Sequence, residues 1–531
     1  MQAPASGAAA LSLVTMNAAD AVLSPARVAQ HPDKPAILFN EQAVSYAQLL
    51  ARVNRFGNAL ARAGVRREHR VMLLLKDSPD MVAAYLGAIK AGGVSVAINV
   101  RCAPYELAFF LADSRATVLL VDAEFLPIYQ AIESQLAEPP RVFVTGAPSG
   151  VAPAGMGTFE SLLDGASERM DAVPMSPDDM ALWMYTSGTT GTPKAAVHLQ
   201  HNVLSCLDFC SGVLGGNRED RLFATSKLFF AYANSNSIFA SFTLGATTVL
   251  LDAWPDSATI AQVMDAHKPT LFFSVPTLYR NLLRDGVATR ERFAGVRHCV
   301  SAGERLPVVL QQRWREATGH DLIDAMGTTE TIFMMLANRP GEVRDGASGK
   351  PTPNTRIELR DEDGRVIEGA GKPGVLWVQM ASTADRYWNN QARSNAAFFG
   401  PWFRTGDMYV RDEDGYYFQE GRADDMLKIS GQWVSPAEIE DEVLKLPGVA
   451  DAAVVGAPNA EGLVRLALFV LPNDPAADPA ALAEGIQKAL VGRLSVYKCP
   501  REVRVVSEIP RTATGKVQRF KLRESVKAAG Q

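Results

Sequence analysis

Apolar and polar residues alternate along the chain in blocks that predict strands and helices in turn. The stretch SPDMVAAYLGAIKAGGVSVAINV, which begins at Ser78, offers a serine N-cap, a proline at the first helical position, an apolar helix face, two glycines and then a strand. Further strand-like runs are separated by segments long enough for helices, and they begin at Ala116, Arg141, Ala246, Thr270 and His298. This alternation predicts a large α/β domain.

The pattern changes after about Arg356. The stretches RIELRDEDGRVIEG and MYVRDEDGYYFQEG each place Asp-Gly between strand-like runs, which is a hairpin signal and indicates a β-rich subdomain. Further on, SPAEIEDEVLKLPGV opens with a capping box of Ser435 and Glu438, and two strand-like runs and a helix near 480–494 follow. The end of the chain is therefore predicted to form a small α+β domain.

The boundary between the two predicted domains lies in the polar, glycine-bounded stretch GRADDMLKISG. We expect residues 1–422 to form the N-terminal domain, with α/β layers and the β-rich subdomain, and residues 423–531 to form a mobile C-terminal domain.

Composition and charge narrow the range of partners. A net charge of -5 over 531 residues argues against a general nucleic-acid or anionic-membrane binder. The longest apolar run ends at Lys90, well short of the ~18 residues that a membrane span needs. The N-terminus lacks the basic segment of a secretory signal. We therefore expect a cytoplasmic protein that handles small molecules, as a monomer or a homodimer, with no nucleic-acid or membrane partner.

The five cysteines fit a reducing compartment, because none of them forms a CxxC pair. Cys206 and Cys210 lie one helical turn apart, but no nearby Cys or His pair completes a metal site. They are expected to be buried apolar residues.

The stretch YTSGTTGTPKAAVH carries the clearest chemical signal. Its small residues let the backbone approach a charged ligand and offer N–H and O–H donors together, which suits phosphate. It is not a Walker A loop, because Gly188 and Gly191 are three apart and Lys194 is followed by Ala195. The alternative is a plain turn between the strand ALWMY and a helix.

This stretch resembles the signature of the AMP-forming acyl-CoA synthetase, or adenylate-forming, superfamily. Four further motifs of that family recur in order, and they cover nearly the whole chain: MGTTE, WFRTGD, GRADDMLKISG and PRTATGK. The resemblance implies ATP, Mg²⁺ and coenzyme A as cofactors and co-substrates. The nucleotide site that it implies comprises Thr186, Ser187, Gly188, Thr189, Thr190, Gly191, Gly303, Glu304, Met326, Gly327, Thr328, Asp407 and Arg422.

Four residues receive catalytic roles from this resemblance. Thr329 contacts the α-phosphate, Glu330 serves the magnesium, Lys194 holds the departing pyrophosphate and Lys516 is the catalytic lysine. These roles also make physical sense, because a carboxylate must gain a better leaving group and two anions must meet when it attacks the α-phosphorus of ATP. Lys516 and Mg²⁺ would neutralise that charge.

The two-domain layout follows from the same resemblance. Asp424 would be the hinge on which the small domain moves, so that a thiol can replace Lys516 at the acyl group. The loop after the hinge would line the tunnel for the pantetheine arm, with Lys428, Ser430, Gly431 and Trp433. Gly431 suits a narrow tunnel, although a simple turn glycine is the alternative.

The segments SKLFFAYANSNSIF and SVPTLYRNLL resemble the benzoate-CoA ligase branch. In that resemblance Phe230 is the aromatic gate, and the acyl group is surrounded by Tyr232, Ala302, Gly303, Gly327, Ile332 and Phe333. Ordinary core packing is the alternative for each apolar member. The sequence departs from the branch at Ala233-Asn234-Ser235, at Phe333 and at Ala195.

The sequence therefore predicts an ATP-dependent acid:CoA ligase, with benzoate or a related aryl acid as substrate. A medium-chain or alicyclic acid, or transfer of the acyl group to a carrier protein, remains an alternative. A luciferase-like oxygenase is a weaker one, because nothing in the sequence requires light-emitting chemistry. A silent nucleotide-binding protein is the alternative from another class, and the presence of Lys516, Glu330, Asp407 and Arg422 argues against it.

Overall fold

A computed structural model describes residues 14–147, 150–187, 193–423, 427–429, 432–458, 464–511 and 517–529. Its strands are, in chain order, β1 Pro35–Phe39, β2 Gln42–Ser45, β3 Arg70–Leu74, β4 Val94–Ala97, β5 Val118–Asp122, β6 Arg141–Thr145, β7 Gly157–Thr158, β8 Met180–Ser187, β9 Pro193–Leu199, β10 Arg221–Ala224, β11 Thr247–Leu250, β12 Leu271–Ser274, β13 His298–Ser301, β14 Leu322–Gly327, β15 Met334–Ala337, β16 Lys350–Pro351, β17 Arg356–Arg360, β18 Pro373–Gln379, β19 Arg386–Tyr387, β20 Phe398–Phe399, β21 Trp402–Arg411, β22 Tyr417–Arg422, β23 Leu427–Ile429, β24 Gln432–Val434, β25 Val449–Pro458, β26 Val464–Pro472 and β27 Glu502–Val505.

Its α-helices are α1 Ala18–Val22, α2 Pro25–Val28, α3 Tyr46–Arg62, α4 Pro79–Lys90, α5 Pro104–Ser114, α6 Leu126–Gln130, α7 Phe159–Leu163, α8 Cys206–Cys210, α9 Ala231–Ala233, α10 Ser241–Leu244, α11 Ser257–His267, α12 Pro276–Arg284, α13 Arg290–Phe293, α14 Val308–Thr318, α15 Gln391–Ala397, α16 Pro436–Leu444, α17 Pro479–Leu490 and α18 Arg519–Ala529. A π-helical segment, Asn234–Ala240, joins α9 to α10.

Two large sheets dominate the N-terminal part. The first runs β16-β15-β14-β13-β12-β10-β11-β1-β2, and it is parallel from β14 to β1. The second runs β19-β9-β8-β4-β3-β5-β6-β7, and it is parallel from β8 to β7. The predicted strands near 116, 141, 246, 270 and 298 are β5, β6, β11, β12 and β13, so this α/β prediction is confirmed.

Helix α4 lies in the core, and its neighbours there come from both large sheets. Ser78 caps it by accepting from the Met81 N–H at 3.1 Å, Pro79 is its first residue, and Gly92 beyond its end has a φ of +81°. Every residue of α4 except Asp80 is buried. A helix that is apolar all round suits this central position, because both of its faces meet apolar side chains.

The segment after the strand ALWMY differs from the turn-then-helix alternative. It forms β9, which pairs antiparallel with β8 on one side and with β19 on the other. The phosphate-type stretch is therefore the connection of a β-hairpin. Sheet pairing on both sides overrides the helical preference of the alanines in PKAAVH.

A five-stranded antiparallel sheet of β17, β18, β20, β21 and β22 forms the β-rich subdomain. The second predicted hairpin is confirmed, because β21 pairs with β22 across Asp-Gly. The first is only partly formed: Arg360 bridges Val366, but the partner strand of β17 is β18.

The C-terminal domain is a separate α+β unit. Strands β25, β26 and β27 form one sheet, and α16, α17 and α18 pack with it around apolar clusters of its own. The predicted capping box is half formed. The Ser435 hydroxyl accepts from the Glu438 N–H at 3.4 Å, but the Glu438 carboxylate instead binds Lys498 Nζ at 2.6 Å. An ion pair outcompetes the return bond to the backbone.

Within the described part of the chain, no helix is long and apolar enough to cross a bilayer. All five cysteines are free, and Cys206 and Cys210 are buried as predicted. The described residues contain no cluster of three or more His, Cys, Asp or Glu that could hold a metal.

Gly349, which comes just before β16, packs against the backbone at the end of β15. Its replacement by alanine tests how closely these two strands are packed. Its φ is +93°, and a Cβ there would lie 1.9 Å from the Ala337 carbonyl carbon. We expect Gly349→Ala to lower the free energy of unfolding by about 3 kcal/mol or more, measured by chemical denaturation. Gly364 is the control, because its φ is +80° with nothing within 4 Å, so Gly364→Ala should cost about 1 kcal/mol. Equal losses would contradict this packing.

Candidate active site

The hairpin of β8 and β9 carries the phosphate-type stretch. Thr186 pairs with Lys194 and Ser187 with Pro193 across the ladder, so the two ends of the stretch meet. Its middle residues, Gly188, Thr189, Thr190 and Gly191, lie outside the described residues. The hairpin base is held by Tyr185, whose hydroxyl donates to Asp113 at 2.7 Å.

Lys194, Glu330 and Tyr387 form a buried charged contact beside this hairpin. Lys194 Nζ lies 3.3 Å from Glu330 Oε1, the Tyr387 hydroxyl donates to the same oxygen at 2.6 Å, and Lys194 sits 3.8 Å from the centre of the Tyr387 ring. Glu330 is only 7% exposed. The contact joins the second sheet, which carries Lys194 and Tyr387, to the turn after β14 of the first.

The protonation of this contact follows from its partners. Burial raises the pKa of Glu330, but the charge of Lys194 and the Tyr387 hydroxyl together bring it below its ordinary value. Burial lowers the pKa of Lys194 despite the neighbouring carboxylate. The contacts with Lys194 and Tyr387 both fall on Oε1 of Glu330.

The turn MGTTE is fixed by backbone and side-chain bonds. The Thr328 N–H donates to Thr331 Oγ1 at 3.1 Å, and His198 Nε2 lies 2.9 Å from the Thr329 carbonyl. Burial lowers the pKa of His198 to about 4, so the ring is neutral and donates from Nε2. Gly327 at the end of β14 is close-packed, because a Cβ would lie 3.0 Å from Met334 Sδ and 3.1 Å from the Phe333 carbonyl.

Asp407 and Arg422 face each other across the β21–β22 ladder. Arg422 Nη1 lies 3.3 Å from Asp407 Oδ2, and Asp407 is 4% exposed. The Asp407 N–H donates to Thr405 Oγ1 at 3.0 Å, which holds the backbone around Asp407. The structure therefore brings together the two residues predicted to bind ribose.

Gly303 and Glu304 follow β13 at the carboxyl end of the first sheet. Gly303 has a φ of +91°, a conformation that favours glycine. Glu304 accepts from Thr277 Oγ1 at 2.9 Å and pairs with Arg511 Nη1 at 3.3 Å. Burial, opposed by Arg511, raises the pKa of Glu304 to about 7. Arg511 belongs to the C-terminal domain, so this contact joins the two domains.

The predicted acyl residues are divided between two apolar clusters: Phe230, Ile332 and Phe333 belong to one, and Tyr232 and Ala302 belong to the other. The rings of Phe239 and Phe333 are 6.2 Å apart, and the Tyr232 hydroxyl donates to the Val300 carbonyl at 2.9 Å. Phe230 is half-buried against Phe229. Two more predicted residues, Ala302 and Ile332, are each 1% exposed.

Ile332 has a φ of +57°, which is strained for a β-branched residue. Such strain persists only where surrounding contacts over-determine the backbone, and it is typical of functional sites. Here the neighbouring Thr331 carbonyl accepts from the Ser382 hydroxyl at 2.7 Å.

Several predicted residues lie outside the described residues: Lys516, Asp424, Ser430 and Gly431. Lys428 and Trp433 pair with each other in the β23–β24 ladder, which places their backbones in one short hairpin after the predicted hinge.

The sequence analysis singled out none of three residues that hold the site or the contact between the domains. Tyr387 binds Glu330, Arg511 binds Glu304, and Arg305 donates to both Asp441 oxygens, one of them at 2.6 Å. Each joins segments far apart in the chain, so local spacing gives no signal for the pairing. Arg511 is the second residue of the PRTATGK motif, and that position is the one hint that the sequence offers.

The two paired ends of this hairpin, a carboxylate paired with lysine and a close Asp-Arg pair are features expected of a nucleotide-binding enzyme site. The AMP-binding enzyme family matches residues 25–388, and the AMP-binding enzyme C-terminal domain matches residues 438–516. The chain belongs to the AMP-binding enzyme family.

The relatives narrow this class. The chain is 46% identical to a 3-hydroxybenzoate–CoA ligase of Aromatoleum sp. (strain CIB), over 97% of each chain. It is 42% identical to a 3-hydroxybenzoate–CoA/4-hydroxybenzoate–CoA ligase of Thauera aromatica, over 97% of this chain and 98% of the relative. The crystal structure of the anthranilate CoA ligase AuaEII with anthranoyl-AMP superposes with a TM-score of 0.90 at 34% identity, over 97% and 98% of the two chains.

Removal of the Tyr387 hydroxyl tests the buried contact. Because a hydrogen bond to a charged group contributes about 1.5–3 kcal/mol, we expect Tyr387→Phe to lower kcat/KM for ATP about tenfold or more. Tyr46→Phe is the control: its buried hydroxyl donates to the Ala246 carbonyl at 2.6 Å, away from the site. Steady-state kinetics with varied ATP measure both. Equal kcat/KM values for the two variants would contradict a role for Tyr387 at the nucleotide site.

Proposed function

We propose that the protein is an ATP-dependent carboxylic acid:CoA ligase that forms an acyl adenylate and then an acyl-CoA thioester. The observation that carries this proposal is the buried contact of Lys194, Glu330 and Tyr387 at the base of the phosphate-type hairpin. Lys194 supplies a cation for the polyphosphate of ATP, and Glu330 supplies an anion for its magnesium counter-ion. The family and its full-length relatives support the same chemistry.

The substrate that we propose is an aryl acid, namely benzoate or a hydroxylated benzoate. The residues that we propose to surround the acid, Phe230, Tyr232 and Phe333 among them, are largely aromatic and aliphatic, which would suit a small aromatic ring. The relatives reported above act on hydroxybenzoates by name.

In the first step, a carboxylate oxygen attacks the α-phosphorus of ATP, and the bond to the bridging oxygen breaks to release pyrophosphate. Lys194 would hold the departing pyrophosphate, Thr329 would donate to the α-phosphate, and Lys516 would lie between the two anions. The Asp407–Arg422 pair would hold the ribose hydroxyls. Positioning and charge neutralisation supply most of the rate in such a transfer.

Glu330 would hold Mg²⁺. The carboxylate fits such an ion, because its lowered pKa keeps Glu330 anionic and the contacts with Lys194 and Tyr387 both fall on Oε1. One carboxylate together with substrate phosphates is a usual set of ligands for this ion. When bound, it would neutralise the charge on the β- and γ-phosphates. We also propose a cytoplasmic location and a monomeric or homodimeric state.

In the second step, the thiol of coenzyme A attacks the acyl carbonyl and AMP leaves. We propose that the C-terminal domain, residues 423–531, turns about Asp424 between the steps. The present orientation suits the first step, because Arg511, five positions before Lys516, contacts Glu304 beside the proposed nucleotide site. Arg305 and Asp441 support the same orientation.

Acid-dependent exchange of labelled pyrophosphate into ATP, without coenzyme A, tests the proposed function. We expect exchange with benzoate and hydroxybenzoates that exceeds exchange with straight-chain acids about tenfold or more, which is the discrimination that a shaped apolar pocket can give. Exchange with aliphatic acids alone would overturn the aryl substrate. No exchange with any acid would overturn the ligase.

Lys516→Ala separates the two half-reactions. We expect it to lower the rate of pyrophosphate exchange about a hundredfold or more, because it removes a cation from between two anions. Thioester formation from a supplied acyl adenylate should stay within about twofold, since the lysine acts only in the first step. Rapid-quench assays of both steps measure this. Equal losses in the two steps would contradict the two-orientation mechanism.

A further inference from the structure

A short segment between β10 and α9 connects the first sheet to the proposed acyl region. We call residues 226–230 the gate segment, because they end at Phe230. Leu228 and Phe229 are 1% and 7% exposed, and the rings of Phe229 and Phe230 are 4.4 Å apart. The proposed mechanism uses only Phe230, so the polar groups that hold the rest of the segment need an explanation.

Asp77 reaches the gate segment from the other large sheet. It follows β3, it is 5% exposed, and both of its carboxylate oxygens accept from the Leu228 N–H, at 3.1 and 3.3 Å. Lys227 Nζ lies 3.7 Å from Asp77 Oδ2. Burial, opposed by Lys227, raises the pKa of Asp77 to about 6, so the group is an anion at neutral pH.

The remaining contacts hold the segment from its other sides. Lys227 Nζ donates to the Asp252 carbonyl at 3.2 Å, in the loop after β11. Asn234, in the π-helical segment, donates from Nδ2 to the Leu228 carbonyl at 3.2 Å. The Phe230 N–H donates to the Lys227 carbonyl at 2.9 Å. Leu228 is therefore bound at its N–H by one sheet and at its carbonyl by the helix that follows.

We propose that Asp77 is a positioning residue that sets the acid specificity of the enzyme. Through the Leu228 N–H and Lys227 it fixes the backbone that carries Phe230, and so the place of the Phe230 ring against the acid. The inference rests on the proposed function, because the role of Phe230 does. Apolar residues of similar volume often stabilise a fold as well as a buried ion pair does. We therefore infer that the Asp77–Lys227 pair serves to fix the position of the gate segment.

Asp77→Ala and Asp77→Asn test this role, with Asp220→Asn as a matched control. Asp220 is also a buried aspartate, 2% exposed, and accepts from Arg297 at 2.7 Å, but it precedes β10 at the end away from the gate segment. The asparagine at 77 keeps an oxygen for the Leu228 N–H. It also remains informative if the alanine variant fails to fold.

Pyrophosphate exchange is measured for each variant with benzoate, 3-hydroxybenzoate and 4-hydroxybenzoate. We expect Asp77→Ala to lower kcat/KM for the acid about tenfold and to change the ratio between the acids about threefold or more, with KM for ATP within about twofold. Asp77→Asn should give values of kcat/KM and of the acid ratio between those of Asp77→Ala and those of the wild type. Asp220→Asn should keep the wild-type ratio even where it lowers the melting temperature. If folded Asp77 variants keep the wild-type ratio of kcat/KM values between the acids, the proposal is overturned. Equal changes in KM for the acid and KM for ATP would also overturn it.

Hydrogen exchange of the Leu228 amide separates this inference from the proposed function. If the wild-type protein catalyses no pyrophosphate exchange, the proposed ligase function is overturned. Faster Leu228 amide exchange in Asp77→Ala, but not in Asp220→Asn, would still support the hold of Asp77 on the gate segment. Equal protection in all variants would overturn it.

Discussion

The ion pair between Lys194 and Glu330 is the interaction on which the site depends. Two charges removed from water cost several kcal/mol unless each finds a partner in good geometry. Here the lysine has the carboxylate at 3.3 Å and the Tyr387 ring at 3.8 Å, and the carboxylate has the Tyr387 hydroxyl at 2.6 Å. The pair links the hairpin of one large sheet to the turn after β14 in the other, so it joins the two parts of the proposed nucleotide site.

The rest of the N-terminal part places groups around this pair. Both sheets are mostly parallel, and the loops at the carboxyl ends of parallel strands are where such folds bind ligands. Gly303 follows β13, the turn with Thr329 follows β14, and the gate segment follows β10. Buried polar contacts hold each of these loops. Asp77 holds the gate segment through the Leu228 N–H, and Tyr387 holds Glu330 through its hydroxyl.

Ion pairs between the two domains hold the C-terminal domain in its present orientation. Arg511 pairs with Glu304 and Asp451, and Arg280 also pairs with Asp451, so a short chain of charges spans the interface. Contacts of this kind are more polar than a core and can be broken and remade. This suits the proposed turn of the C-terminal domain between the two half-reactions.

Sequence patterns predicted strands β4, β5, β6, β11, β12 and β13, helix α4 and the hairpin of β21 and β22, because each depends on local caps, turns and periodicity. The alternative of a plain turn and a helix after ALWMY does not hold, since pairing with β8 and β19 makes this segment a strand. Glu438 satisfies the capping pattern but binds Lys498, sixty positions on. Tyr387 and Asp77 carried no signal either. A buried tyrosine or aspartate shows its role only when the fold brings its partner near.

The transfer of oxygen from the acid tests the central claim most directly. The acid is labelled with ¹⁸O in its carboxylate and incubated with the protein, ATP, Mg²⁺ and coenzyme A, and the nucleotide product is examined by mass spectrometry. Attack of the carboxylate on the α-phosphorus predicts AMP that carries one ¹⁸O from the acid. Label in orthophosphate together with ADP would show attack on the γ-phosphorus and contradict the account.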